Sequence, residues 1–216
     1  MSTQPTSFID EINKVRTNPK EYSKILLSYE KYFKNKVFHQ PELKIGIETN
    51  EGFSSFKEAA EELIKTKPLE PLSTKSLLND IAFDILTNNT DTINEDLDVN
   101  LIISRHGEYF GPFAHSIDFG SSTVQLCICN LLADESSLLR PNRKNILSNK
   151  YKLIGVSHGK QAEYGFVTVV CFSRHFFGKG EDHGELSDEC YENKDPEIKG
   201  KGEMKSLLSQ LKAGKK

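Results

Sequence analysis

The stretch 151–176, YKLIGVSHGKQAEYGFVTVVCFSRHF, constrains the fold most strongly. Two runs rich in Val, Ile, Phe and Thr, YKLIGVSH and YGFVTVVCFSRHF, flank the polar turn KQAEYG. That pattern predicts a β-hairpin. Within it, GVSHG (155–159) matches G-x-S-x-G, the pattern around the nucleophile of many esterases. Such a serine has to sit on a sharp strand-to-helix turn that exposes its oxygen beside an oxyanion hole. Here a polar turn and a second strand follow, so Ser157 reads as part of a hairpin arm. Asp182 and His183, its possible partners in chain order, lie in a charged tail. No catalytic residue is expected.

Helical patterns fill the chain before the hairpin. The first helix starts at Thr6 or Ser7, either of which can cap it, with Phe8, Ile12 and Val15 on one stripe. RTNP breaks it: Asn18 suits the turn and Pro19 the first turn of the next helix. That helix covers 20–33, with Tyr22, Ile25, Leu26, Tyr29 and Phe33 on one side. Ile45 and Ile47 alternate with polar residues and predict a short strand. A further amphipathic helix spans 51–67, and Pro68 and Pro71 end it; another runs from a Ser73 cap to about Thr87. NNTDTINEDLD reads as a loop and 101–120 as irregular, glycine-bearing chain. Ser122 and Gln125 fit a capping box that opens an apolar helix to Ala133, and RPNRKNIL offers one short helical turn. Stripes from Phe8, Leu77 and Val124 are placed to cover both faces of the hairpin sheet.

The 216 residues allow one sizeable domain with an extension. A net charge of -3 gives no argument for nucleic acid or for an anionic membrane. No apolar run approaches the ~20 residues needed to span a bilayer. The opening MSTQPTSFIDEINKVR has neither a basic n-region nor an apolar h-region, so an intracellular, cytoplasmic setting is the expectation. Cys127, Cys129, Cys171 and Cys190 contain no C-x-x-C pair and read as free thiols. From Gly178 the chain turns charged and mixed in sign, which defines a domain at 1–176 and an extension at 177–216. Inside the extension, Met204, Leu207, Leu208 and Leu211 form a short apolar stripe suited to docking on a partner.

Several segments carry a family resemblance: EINKVRTNP (11–19), TNEG (49–52) and above all PNRKNI (141–146) followed by the hairpin. Across 8–176 the chain resembles the CAP superfamily of cysteine-rich secretory, antigen-five and pathogenesis-related proteins, in a divergent, protist-type form. The resemblance implies an α+β fold, a three-layer α-β-α sandwich around a small, mainly antiparallel sheet. It also implies a cavity with two histidines and two acids, which in some members binds a divalent metal. Carried over, the histidine of the GHRKNI-like motif is Asn142 and the glutamate of the GEN segment is His115. The first histidine aligns near Asp91, and the second acid is Asp134 or Glu135. Asn is a weak neutral ligand, so this cavity reads as degenerate, with no metal and no cofactor. Asn13, Arg16, Arg143 and Asn145 are assigned structural roles, Arg143 by bridging carboxylates or carbonyls and Asn145 by fixing a turn. The acids of LLADE are alternative partners for the arginines.

The expected function is a non-enzymatic interaction or scaffold protein with protein partners, in a cytoskeletal or ciliary assembly. The alternative is a binder of lipid, sterol or another small molecule, with YFGPF (109–113) lining a groove. A hydrolase reading depends on Ser157 or a metal-bound water, and neither has its constellation.

Overall fold

The computed structural model describes residues 5–40, 46–135 and 137–183. The element order is α1 (Pro5–Thr17), α2 (Pro19–Ser28), a 3-10 turn (Tyr29–Tyr32), β1 (Phe33–Lys34), β2 (Val37–Phe38), β3 (Ile47–Glu48), α3 (Ser54–Lys65), β4 (Ser73–Thr74), α4 (Ser76–Thr87), α5 (Val99–His106), β5 (Gly107–Phe119), α6 (Val124–Ala133), α7 (Pro141–Ile146), β6 (Leu153–Gln161) and β7 (Gly165–Gly178).

Most boundaries follow local chemistry, and the departures have long-range causes. The second helix stops at Ser28 instead of reaching Phe33. Phe33 leaves it to join a cluster with Phe38, Phe53 and Phe56, stacking on Phe38 at 4.7 Å between ring centroids. Ser73 is a strand residue and not a helix cap, because β4 pairs in parallel with Leu153 and Ile154 of β6. The α6 cap is Thr123, whose Oγ1 accepts the Leu126 N–H at 3.3 Å, one residue past the expected Ser122.

The largest correction concerns 101–120. Asp98 caps α5 by accepting the Leu101 N–H at 3.2 Å, and the rest forms the long strand β5 instead of irregular chain. β5 is made by pairing with β7, from Gly107↔Gly178 to Phe119↔Val167, with one register shift between Phe110 and Phe113. Gly111, at φ +76, supplies the backbone angle that this bulge needs.

The main sheet has the order β4-β6-β7-β5, so the hairpin contributes its two inner strands. Both faces of β7 are sealed: Val167, Val169, Val170, Cys171 and Phe172 are all 0% exposed. Alternation sends Val170 and Phe172 into a core with α1, α3 and α6, and Val167, Val169 and Cys171 into a second core with α4 and α5. Helices therefore cover both sheet faces, and the architecture is an α-β-α sandwich. The second core is drawn tight at Gly155. A Cβ there would stand 2.2 Å from the Leu78 carbonyl carbon of α4. The Asn79 side chain of the same helix accepts the Val156 N–H at 2.8 Å, satisfying the strand where β4 has ended.

Candidate functional site

The residues around PNRKNI sit at the corner where α7 meets α3 and the end of α6. Asp134 ends α6 in a left-handed conformation, φ 50. Its Oδ2 accepts the Asn142 N–H at 2.7 Å and the Arg143 N–H at 3.3 Å, and its Oδ1 accepts from the Asn142 amide at 2.9 Å. The carboxylate thus satisfies the first N–H groups of α7, whose N-terminus favours negative charge. Glu135 does the same before α3, accepting the N–H groups of Asn50 and Glu51 at 3.2 and 3.1 Å. Burial raises the Glu135 carboxyl above the ordinary carboxylate range, while the Glu51 and Asn50 N–H groups oppose the rise.

The arginines find other partners. Arg140 holds Glu51 through two contacts of 2.7 Å and reaches Glu58 at 2.7 Å. Arg143, 1% exposed, binds Glu58 at 2.7 Å, Glu62 at 3.0 Å and the carbonyls of Leu132 and Ala133 at 2.6 and 3.1 Å. Arg143 therefore bridges carboxylates and carbonyls at once. The LLADE acids do not pair with the arginines through their carboxylates; they cap backbone, and the counter-charges come from α3. Contacts to Arg140 and Arg143 hold the Glu58 carboxyl below its usual range.

The first helix is tied down in a similar way. Asn13 makes a two-point pair with the Leu72 backbone, donating at 3.1 Å and accepting at 2.8 Å. Arg16 is 2% exposed and donates to the carbonyls of Ile146, Ser148 and Glu70 at 2.8, 2.7 and 3.0 Å. It gathers the C-terminal end of α7, where a cation is favoured. Burial lowers its pKa to about 10, which leaves it charged at neutral pH. Asn145 donates to Ser116 Oγ at 3.2 Å and accepts from the Tyr151 hydroxyl at 3.5 Å, so it ties α7 to β5 and also spans the turn that leads to β6.

The residues at the family's cavity positions do not converge. Asp134, Glu135 and Asn142 share the corner. His115 lies on β5 opposite Cys171, on the α4-facing side, and burial lowers its pKa to about 4, so it is neutral at pH 7. Asp91 lines a cavity of about 550 Å³ with Lys160, Gln161 and Gly165 at the tip of the hairpin. Gly165 and Cys171 are six residues apart on β7, roughly 20 Å of strand. Among the described residues no three His, Cys, Asp or Glu side chains come together as a group able to hold a metal ion. Asn142 donates its amide to Asp134 and offers no imidazole in its place. The donor set does not fit a divalent transition metal.

A second buried polar group has no counterpart in the sequence reading. Cross-strand register places Asp118 (β5), Thr168 (β7) and His158 (β6) in one row on the α6-facing side. His158 Nδ1 and Thr168 Oγ1 are 2.8 Å apart. Cys127 of α6 neighbours both Thr168 and Asp118, and Ser121 and Asn130, themselves joined at 3.0 Å, lie beside the Asp118 carboxyl, whose Oδ2 finds no partner. Burial raises the Asp118 pKa to about 7, opposed by the contacts from Ser121, Cys127 and Asn130. His158 lies half-buried between Phe8 and Phe166, with ring centroids 5.0 and 5.3 Å away. The signal was a single Thr inside FVTVVCF, unreadable until register supplies its neighbours.

Ser157 lies mid-strand opposite Val169, on the side facing α4, while His158 points the other way. Its flanking Gly155 and Gly159 face Leu78 and Leu86 of α4, so the glycines of GVSHG accommodate a helix. Phe110 and Phe113 of YFGPF are each 5% exposed and belong to the interior. Cys127, Cys129 and Cys171 are buried free thiols. β7 runs on to Gly178, and Lys75 then holds Glu181 at 3.1 Å. Met204, Leu207, Leu208, Leu211 and Cys190 lie outside the described residues.

No protein-family model and no curated protein matches the chain. Among solved structures it is similar to venom allergen-like protein 4 of Schistosoma mansoni, at 14% identity and a TM-score of 0.45, over 90% of this chain and 97% of that one. It is also similar to an outer surface protein of Borrelia burgdorferi, at 17% identity and a TM-score of 0.38, over 55% of this chain and 88% of that one. The layer order seen here, with PNRKNI on α7 just before the hairpin, is the one that the CAP resemblance implies. No helix among the described residues is long and apolar enough to cross a membrane.

Proposed function

We propose that this protein is a non-enzymatic interaction or scaffold protein built on a CAP-like domain, working inside the cell in a cytoskeletal or ciliary assembly. One observation carries the reading: of the residues at the family's cavity positions, Asp134, Glu135 and Asn142 are engaged with each other or with backbone, while Asp91 and His115 stand apart from them. Asn142 and the α7 N-terminus occupy Asp134. The N–H groups of Asn50 and Glu51, in the turn before α3, occupy Glu135. A general base or metal ligand has to offer a lone pair to substrate or cation, and these groups direct theirs inward. What remains to act is surface, together with the 177–216 extension and its stripe of Met204, Leu207, Leu208 and Leu211.

The test is a native pull-down from the source cell with the tagged full chain, followed by affinity measurement on the recovered partner. Deleting 203–216 is expected to weaken binding at least tenfold. Asn142→Ala and His115→Ala, once shown by circular dichroism to be folded, are expected to leave it within about twofold. The reverse pattern, or stoichiometric zinc retained by purified protein after dialysis, overturns the proposal.

A further inference from the structure

Among the described residues, the most exposed large apolar side chains are neighbours. Leu138 and Leu139 are 89% and 71% exposed, ahead of Phe83 at 56% and Leu101 at 52%. They sit on a braced turn. Ser137 closes it, its carbonyl accepting the Arg140 N–H at 3.0 Å and its Oγ the Leu139 N–H at 3.2 Å. Arg140, at φ 50, anchors the far side through Glu51, Glu58 and the Asp134 carbonyl. The pair is therefore held outward by a fixed support, which lowers the ordering cost of binding.

The support is also electrically lopsided. Three carboxylates (Glu51, Glu58 and Glu62) meet two guanidiniums, Arg140 and Arg143, and the carboxylates of Asp134 and Glu135 accept backbone N–H groups beside them. The guanidiniums are 8% and 1% exposed at their side chains, whereas Glu58 and Glu62 are 49% and 48% exposed. Positive charge is inside and negative charge outside. Lys57 and Lys144, exposed on α3 and α7, return only part of the excess.

We propose that the Ser137–Arg140 turn is a docking surface for a protein partner that offers an apolar pocket rimmed by Lys and Arg. The leucines fill the pocket, and Glu58 and Glu62 face the basic rim. An anionic membrane is the wrong match, because leucines that insert into one are flanked by cations. A second copy meeting turn to turn sets acid against acid. The inference rests on the interaction-protein reading and assigns it a surface.

The test places a photo-crosslinking side chain at position 139 of the full chain in the source cell and sequences the attached peptides. The expected product is one partner, crosslinked at apolar residues flanked by Lys or Arg. Purified partner is then titrated against the parent chain, against Leu138→Ser/Leu139→Ser, and against Leu27→Ser as an exposed-leucine control. The double variant is expected to lose about a hundredfold in Kd and the control less than twofold. Affinity should also fall as salt rises from about 50 to 500 mM. Crosslinks to lipid, to a second copy or to this chain itself overturn the docking surface. So does a partner that binds the double variant unchanged, although that result leaves the interaction-protein reading standing. No partner in either experiment overturns both.

Discussion

The corner between α3 and α7 and the interior under β5 bury ionisable groups in opposite ways. At the corner each buried charge meets an opposite charge or a backbone dipole: Arg143 has two carboxylates and two carbonyls, and Asp134 has two N–H groups and an amide. On the two faces of β5, among the described residues, no opposite charge meets Asp118 or His115. Asp118 has hydroxyl, thiol and amide neighbours, His115 has only its burial, and both are pushed toward their neutral forms. The difference shows two solutions to burial, one by matching charge and one by removing it.

The contrast breaks most visibly at Arg143. Replacing it with Ala leaves the Leu132 and Ala133 carbonyls without their donor and opens space at a 1%-exposed site. The expected loss is about 3–5 kcal/mol, read from the urea midpoint. A loss under about 1 kcal/mol would show that the corner is not held by matched charge. Next in size is Gly155→Ala, which forces a Cβ to within 2.2 Å of the α4 backbone. About 1–3 kcal/mol should be lost, whereas Ser157→Ala should cost well under that. If the serine change hurts more, the reading of GVSHG as a helix seat is wrong.

The smallest effect is a slope, and it sharpens the comparison under the sheet. Asp118 has a folded pKa near 7 against an ordinary 3.8, so its contribution is fully present below about 3.8 and is lost as pH rises to 7. His115 has a folded pKa near 4 against 6.5, so its contribution is present above about 6.5 and is lost as pH falls toward 4. Between pH 4 and 6.5 the two slopes oppose each other. Relative to the parent, Asp118→Asn should tilt stability upward with pH by about 1.4 kcal/mol per unit, and His115→Gln downward by as much. Denaturant titrations at half-unit pH steps measure both tilts; parallel curves for parent and variants would remove this account.

The legible parts were those written in neighbouring residues. The hairpin, the α1 stripe, the Pro19 start and the α7 turn after Pro141 all follow from period, composition and proline, and they appear within a few residues of expectation. β5 was not legible. GEYFGPFAHSIDF has glycines, a proline and polar residues that suit a loop, and only the ladder to β7 makes it a strand. The candidate cavity failed for a related reason. Motif alignment orders Asp91, His115 and Asn142 along the chain, but it does not say which face of β5 holds His115 or which end of the hairpin holds Asp91.

The sequence alone determined where the chain can turn, which runs are apolar at period two or at helical spacing, and that a sheet had to be covered on both faces. Those properties are local, and neighbouring side chains and backbone angles set them. Tertiary structure alone decided which carboxylates meet Arg140 and Arg143, that Asp134 caps α7 while Glu135 holds the turn before α3, and that Asp118, Thr168 and His158 form one row. Each of these depends on register and on contacts between residues far apart in sequence, and a one-residue slip in β5 would send Asp118 and His115 each to the face the other now holds.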